Sequence, residues 1–235
     1  PDMASTVLTG IRAVIFDVHG TLLTGGGPMR FDPAADLRIL ELLHQHGHHL
    51  KESPTRSLEL MVRQHHAESA EEYPEVDLRR LWATLLRIEE VSTEWLTELE
   101  HARQPLCSMP SARECLATLS SLSLGLLSNA QAETLPVLCR ELGRDPFAAD
   151  LCVLSYQHGV AKPSAHLFEL LIARLAVRGI APDAALMVGN DPLHDIAPAK
   201  AIGLKAVLLS GTAHLPANQA DAVIRDLSQL PGILG

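Results

Sequence analysis

Asp17 ends an apolar, β-branched run that extends from Val7 to Phe16, and Val18-His19-Gly20-Thr21 follow at once. A carboxylate at the carboxyl end of a strand, beside a glycine that permits a tight turn and a threonine hydroxyl, is placed to act as a nucleophile or as a ligand for a hard cation. Three later segments carry complementary groups. Ser128 offers a hydroxyl and Asn129 an amide to an anionic oxygen, and Lys162, in Val160-Ala161-Lys162-Pro163, offers a cation ahead of a helix. Asn190, Asp191 and Asp195 offer oxygen ligands for a divalent ion. Nucleophile, anion holder, cation and metal ligands therefore occur in that order. The chemistry they suit is phosphoryl transfer, in which negative charge gathers on the equatorial oxygens. A carboxylate approaches such an anion only if a metal and a lysine cancel the repulsion.

These groups need a scaffold that brings four distant segments to one edge. The run ending at Asp17 reads as a buried strand, and Leu122 to Leu127, Ala184 to Val188 and Leu204 to Leu209 repeat its design, each ending in Ser, Asn, Asp or Gly; the last ends in Ser210-Gly211. Leu151 to Leu154 is a fifth candidate strand. Ser111 to Leu122, Ala132 to Leu142, Ser164 to Val177 and Asp195 to Ile202 carry apolar residues at three- and four-residue spacing, which predicts helices. Strand and helix in alternation predict an α/β fold with a doubly wound, Rossmann-like parallel sheet and right-handed crossovers.

The stretch from 24 to 105 breaks the alternation. It contains no strand pattern and predicts helices over Pro33 to His46, Ser57 to Ala67, Val76 to Glu89 and Thr93 to Arg103. The domain reading is thus a core of residues 1–23 and 106–235 with an all-helical domain inserted at 24–105. Gly25-Gly26-Gly27-Pro28 reads as a flexible joint at its entry, and Pro105 to Pro110 returns the chain to the sheet. The triple glycine is not a phosphate loop, because no Lys-Ser or Lys-Thr follows it.

The chain of 235 residues carries 19 Lys and Arg against 28 Asp and Glu, a formal net charge of −9. That sign argues against nucleic acids and anionic membrane surfaces as partners. The insert is the more acidic part, at −6 against −3 for the remainder, and holds seven of the 12 histidines. No run approaches the length of a membrane helix, and the four cysteines, 107, 115, 139 and 152, form no CxxC pair, which predicts a soluble protein with reduced thiols in the cytoplasm.

Phe16-Asp17-Val18-His19-Gly20-Thr21-Leu22, Leu127-Ser128-Asn129, Lys162-Pro163 and Val188-Gly189-Asn190-Asp191-Pro192-Leu193-His194-Asp195 resemble, in order, the four motifs of the haloacid dehalogenase-like hydrolases. The helical insertion after the first motif matches the position of that family's helical cap. The resemblance implies a phosphatase acting on a small phosphorylated metabolite, with Asp17 as the nucleophile that passes through an aspartyl-phosphate. Ser128, Asn129, Lys162 and Thr21 would hold the transferring group, and Mg²⁺ would be held by Asp17, the His19 carbonyl and the fourth motif.

Two positions depart from the family pattern. Phosphatases of the family carry an acid two residues after the nucleophile, and here His19 stands there. An imidazole can shuttle the same proton near neutrality, or its presence can mark altered or lost catalysis. In the fourth motif Asn190 takes the place of the first acid, with Asp195 five residues on; an acid binds Mg²⁺ better than an amide, which favours Asp191 as the ligand and leaves Asp195 to orient the loop or Lys162. Two rival readings follow. One is a metal-independent 2-haloacid dehalogenase, for which Arg30 is the nearby carboxylate-binding candidate. The other is a binding or regulatory protein that keeps the fold without turnover.

The remaining candidates read as structural. His44-Gln45-His46-Gly47-His48-His49 lies at the expected end of the first helix of the insert, and His65-His66 on a solvated helix face. Trp82 and Trp95 fall on apolar faces. His158 and His194 lie close in sequence to the third and fourth motifs.

Overall fold

The computed structural model describes residues 7–210 and 220–235. Six strands form one sheet, β1 (Ala13–Phe16), β2 (Ser123–Ser128), β3 (Cys152–Leu154), β4 (Ala185–Gly189), β5 (Lys205–Leu209) and β6 (Ala222–Ile224), in the order β3-β2-β1-β4-β5-β6. Every pairing is parallel. The chain leaves β1 toward β2 on one side and reaches β4 on the other, so the strand order reverses at β1. This is the crevice at which open α/β sheets place their ligands.

Side chains alternate along each strand, and that period of two builds two apolar layers. Val14 and Phe16 of β1 join Leu126, Val188 and Val207 on one face, where α5 (Ala112–Thr118) and α6 (Thr134–Leu142) cover them. Ala13 and Ile15 join Leu127, Met187 and Ala185 on the other, beneath Phe168 and Leu171 of α7 (Ala165–Val177) and Ala199 of α8 (Ala197–Ala201). Each strand of the centre is buried on both faces, which is why it reads as an unbroken apolar run.

The insert consists of α1 (Pro33–Gln45), α2 (Pro54–Glu68), α3 (Leu78–Leu86) and α4 (Thr93–Arg103), packed around Ile39, Leu43, Leu58, Trp82, Leu96 and Leu99. Capping sets the boundaries. Ser53 accepts from Arg56 N–H and Pro54 occupies the first turn, so α2 begins three residues ahead of its apolar pattern. Asp77 caps α3, and Arg87 ends it in the left-handed region at φ 57°, trimming both ends of the expected Val76 to Glu89.

Other departures have equally local causes. Gly10 adopts φ 75° and Leu8 pairs separately with Leu234, so β1 starts at Ala13 and not at Val7. A wide π-type turn over Pro192–Ile196 precedes α8, which shortens the helix expected from Asp195. β6 is an edge strand of three residues, too short to produce a readable period. Gly211, expected just after β5, lies outside the described residues. Among the described residues no helix is long and apolar enough to cross a membrane.

The insert is tied to the sheet by its α2–α3 connection. Glu75 N–H donates to Gly159 O at 3.0 Å, and Ala161 N–H to Tyr73 O at 2.8 Å. Gln131 closes the other side, its Nε2 donating to Val76 O at 2.9 Å and its Oε1 accepting from Leu78 N–H at 2.9 Å.

Gly125 in β2 is required by packing, since a Cβ there would lie 2.6 Å from Leu151 O and 2.8 Å from Ile15 Cδ1. Overpacking a core of this kind typically costs about 1–3 kcal/mol. Gly125→Ala is therefore expected to lower the urea midpoint without changing the slope, and an unaltered midpoint contradicts the close approach.

Candidate active site

Four loops meet at the carboxyl edge of β1, β2 and β4. Asp17, the residue after β1, is 5% exposed, and its backbone N–H donates to Val188 O at 2.9 Å, which locks the loop to β4. Ser128, the last residue of β2, donates its hydroxyl to Asp17 Oδ1 at 3.0 Å. Lys162 Nζ reaches the same oxygen at 2.7 Å and Asp195 Oδ1 at 2.5 Å. Asp195 Oδ2 in turn accepts from Asp191 N–H at 3.0 Å.

The electrostatics follow from this arrangement. Burial works against the Lys162 charge, but Asp17 and Asp195 overcompensate and raise its pKa above the ordinary lysine value. Burial raises the Asp195 pKa, and Asp17 adds to the effect while Lys162 opposes it. One ammonium serves two buried carboxylates, so negative charge is left in surplus.

The sequence candidates divide by what their side chains touch. Asn129 turns its amide onto the Lys162 backbone, accepting from Lys162 N–H at 2.6 Å and donating to Lys162 O at 3.3 Å. It thereby positions the lysine loop. Thr21 is fully buried behind the nucleophile and donates to Asp17 Oδ2 at 3.3 Å. Asp191 caps the π-type turn: Oδ1 accepts from Leu193 and His194 N–H at 2.8 and 3.0 Å, and Oδ2 lies 2.8 Å from His194 Nδ1. Both its oxygens are occupied and its side chain is 45% exposed. Asn190 instead lies against Gly20, which at φ 81° leaves room for the amide where a Cβ would collide with it.

His19 packs its ring over Gly26 of the triple glycine, where φ is 85° and a Cβ would overlap the imidazole. Its Nδ1 is buried without a partner among the described residues. Burial lowers its pKa, with Lys162 and Arg103 adding to the effect against Asp17, so the ring is neutral at pH 7.

A cavity of about 410 Å³ opens above this edge, between sheet and insert; His19, Asn129 and Ala161 form its floor. Its lining also includes residues that no motif singled out, Glu100, Arg103 and Glu133 among them. Glu100 bridges Trp82 Nε1 at 3.0 Å and Arg103 Nε at 2.6 Å. Glu133, 6% exposed, has an Oε2 with no partner among the described residues. Neither tryptophan lines the cavity: Trp82 is core, and Trp95 packs beside His46 and His48, with ring centroids 4.3 and 6.3 Å away. His44 and His49 face each other at 3.4 Å outside it, and Arg30 is exposed and absent from its walls, whereas His66 reaches its lining.

The doubly wound sheet, the acid at its switch point and the lysine shared with a second acid together define a hydrolase of one family. The sequence model of the haloacid dehalogenase-like hydrolases matches residues 11–203, and the chain belongs to that family. It is 36% identical over 81 residues to the phospholysine phosphohistidine inorganic pyrophosphate phosphatase of Xenopus laevis, covering 32% of this chain and 29% of that protein. It is 33% identical over 116 residues to the ribulose-1,5-bisphosphate 5-phosphatase of Halopiger xanaduensis, covering 48% and 45% respectively. The matched region thus spans less than half the length of either curated relative. A 2-haloacid dehalogenase structure from Pseudomonas syringae pv. Tomato superposes with a TM-score of 0.65 at 25% identity, over 95% of this chain and 97% of that one.

Glu133 supplies a test of the cavity's dryness. Burial, reinforced by Glu100, raises its pKa from 4.5 to about 8. The unfolded chain loses this proton near the ordinary value while the folded chain retains it. Folding therefore weakens as pH rises from about 4.5 to about 8. Glu133→Gln, which keeps the shape and removes the titration, is expected to gain in urea midpoint over the parent at pH 8 and to lose that advantage at pH 4. A difference independent of pH contradicts a buried, protonated carboxyl.

Proposed function

We propose that this hydrolase is a phosphatase that cleaves a small phosphate monoester through Asp17. The observation that carries the reading is the Lys162 ammonium bound to Asp17 and Asp195 together, since the leftover negative charge suits a site completed by a divalent cation and a phosphoryl dianion. The phosphatase names of the two curated relatives support the same chemistry.

The oxygen donors fit Mg²⁺. Asp17 Oδ2 accepts only the long bond from Thr21, and the His19 carbonyl accepts none among the described residues. The Asn190 amide lies against the same turn, and Asp195 completes the set. In this reading the fourth-motif ligands are Asn190 and Asp195, because Asp195 shares Lys162 with Asp17 at the buried edge while the Asp191 side chain is 45% exposed and turned to its own loop. When bound, the ion neutralises charge on the phosphoryl oxygens and on the attacking carboxylate.

The chain's own residues divide the work. Ser128, Lys162 and Thr21 fix the Asp17 carboxylate, which attacks phosphorus as the ester P–O bond breaks and the alcohol oxygen departs. Water then attacks phosphorus, the bond to Asp17 breaks, and neutral His19 takes the water's proton. A neutral imidazole is in the wrong state to protonate the leaving oxygen, which departs unassisted and takes up its proton once it reaches solvent. The insert acts as a cap that excludes bulk water from the cavity, with Gly25–Gly27 as its joint.

Phosphate release from aryl phosphates with Mg²⁺ is expected to exceed that from alkyl phosphates by at least about tenfold, following the leaving group's acidity. EDTA abolishes it, Asp17→Asn lowers kcat by about a thousandfold or more, and His19→Ala accumulates an acid-stable phosphoenzyme. The superposed dehalogenase gives the rival its outcome. Halide release from 2-chloropropionate without Mg²⁺, with no phosphate released from any ester, would make Asp17 attack carbon instead.

A further inference from the structure

Arg103, the last residue of α4, lines the cavity, whose walls do not include Asp17, Ser128 or Lys162. Its Nε is fixed on Glu100 Oε2 at 2.6 Å, and Glu100 is itself held by the buried Trp82 indole, so the guanidinium plane is set by the core of the insert. Neither of its terminal nitrogens has a partner among the described residues, although the side chain is only 18% exposed and lines the cavity. These terminal nitrogens are not among the buried unpartnered atoms, so they stand open to a ligand that enters the cavity.

The acids around it are already occupied or neutral. Glu75 accepts from Ser155 at 2.6 Å and from Val76 N–H at 2.9 Å, and Glu100 holds Arg103 and Trp82. Burial, reinforced by Glu100, holds the Glu133 proton to higher pH than an ordinary carboxyl does. The donors that this wall offers to a ligand are therefore the Arg103 terminal nitrogens, which have no partner among the described residues. We infer that Arg103 anchors a second anionic group, a carboxylate or a phosphate, carried by the leaving portion of the substrate. This rests on the phosphatase reading for the reaction and extends it to the class of ester: the site is built for substrates charged at both ends. A planar fork that binds two oxygens at once gives both affinity and orientation.

The test compares four probes of one shape: phenyl phosphate, its 3-carboxy and 3-phosphooxy derivatives, and the neutral 3-carbamoyl derivative as size control. With Mg²⁺, the two anionic esters are expected to show a kcat/KM at least about tenfold above the carbamoyl ester, mostly through KM. Arg103→Gln should collapse that ratio toward one, and Arg103→Lys should restore part of it. Calorimetric binding of phenylphosphonate, 3-carboxyphenylphosphonate and 3-carbamoylphenylphosphonate applies the same comparison without turnover. A tenfold preference for the carboxylate that Arg103→Gln removes supports the inference whatever the hydrolysis assay yields. Equal binding of the three phosphonates, or a preference that Arg103→Gln leaves intact while thermal unfolding shows a folded variant, overturns it. Absence of phosphate release from every ester would instead defeat the phosphatase reading and leave the binding result to decide on Arg103. A preference for the 3-phosphooxy over the 3-carboxy ester identifies the second group as phosphate, and the reverse order as carboxylate.

Discussion

A single ammonium shared by two buried carboxylates organises this molecule. Lys162 is 4% exposed, Asp17 5% and Asp195 1%, so all three charges are withdrawn from water. Two negative charges against one positive cannot balance at such burial, and the structure concentrates other donors around them. Ser128 and Thr21 donate to Asp17, and Asp191 N–H donates to Asp195. Buried ion pairs are weak sources of stability, because desolvation offsets most of the attraction. A buried cluster of this kind at a sheet's switch point is therefore better read as a functional site than as a source of stability.

The sheet makes that cluster possible. The strand order reverses at β1, so the loops after β1, β2 and β4 open into one crevice and the lysine loop folds in from beyond β3. Register fixes the depth: Phe16 pairs with Leu126 on one side and Val188 on the other, which sets Asp17 level with the ends of both neighbours. Gly189 has no Cβ because Asp195 lies against it, and Gly20 has none because Asn190 does. Two glycines thus allow side chains from the fourth loop to approach the first.

The insert contributes the other half of the cavity by a different route. Its link to the core is a short backbone pairing beside the lysine loop, Pro74 opposite Val160, strengthened by the Gln131 and Ser155 side chains. The loop that positions Lys162 is therefore the same loop on which the insert rests. The His19 ring, in turn, is lodged against Gly26 at the start of the insert.

The sequence alone determined the elements and most of the polar residues that meet at the sheet edge. Periods of two and 3.6 and the abrupt polar ends of apolar runs located five of six strands and the helices of both parts, because burial on one or two faces writes itself into local pattern. Asp17 and Ser128 were legible for the same reason, each standing at the end of a run, whereas Lys162 and Asp195 lie in loops past β3 and β4 and were legible only through the order of the four motifs. Tertiary structure decided what no local pattern encodes, namely which oxygen faces which nitrogen. Asp191 and Asp195 are four residues apart and chemically alike, yet the turn occupies both oxygens of the first and directs the second at the ammonium. Asn129 and Lys162, 33 residues apart, meet through a backbone clamp rather than through a ligand. Arg103, Glu100 and Glu133 carry no signature, because their role arises only when α4 closes over the start of α6. Contacts between distant segments depend on the packed shape of the whole chain, and that is fixed by volume and geometry rather than by spacing along the sequence.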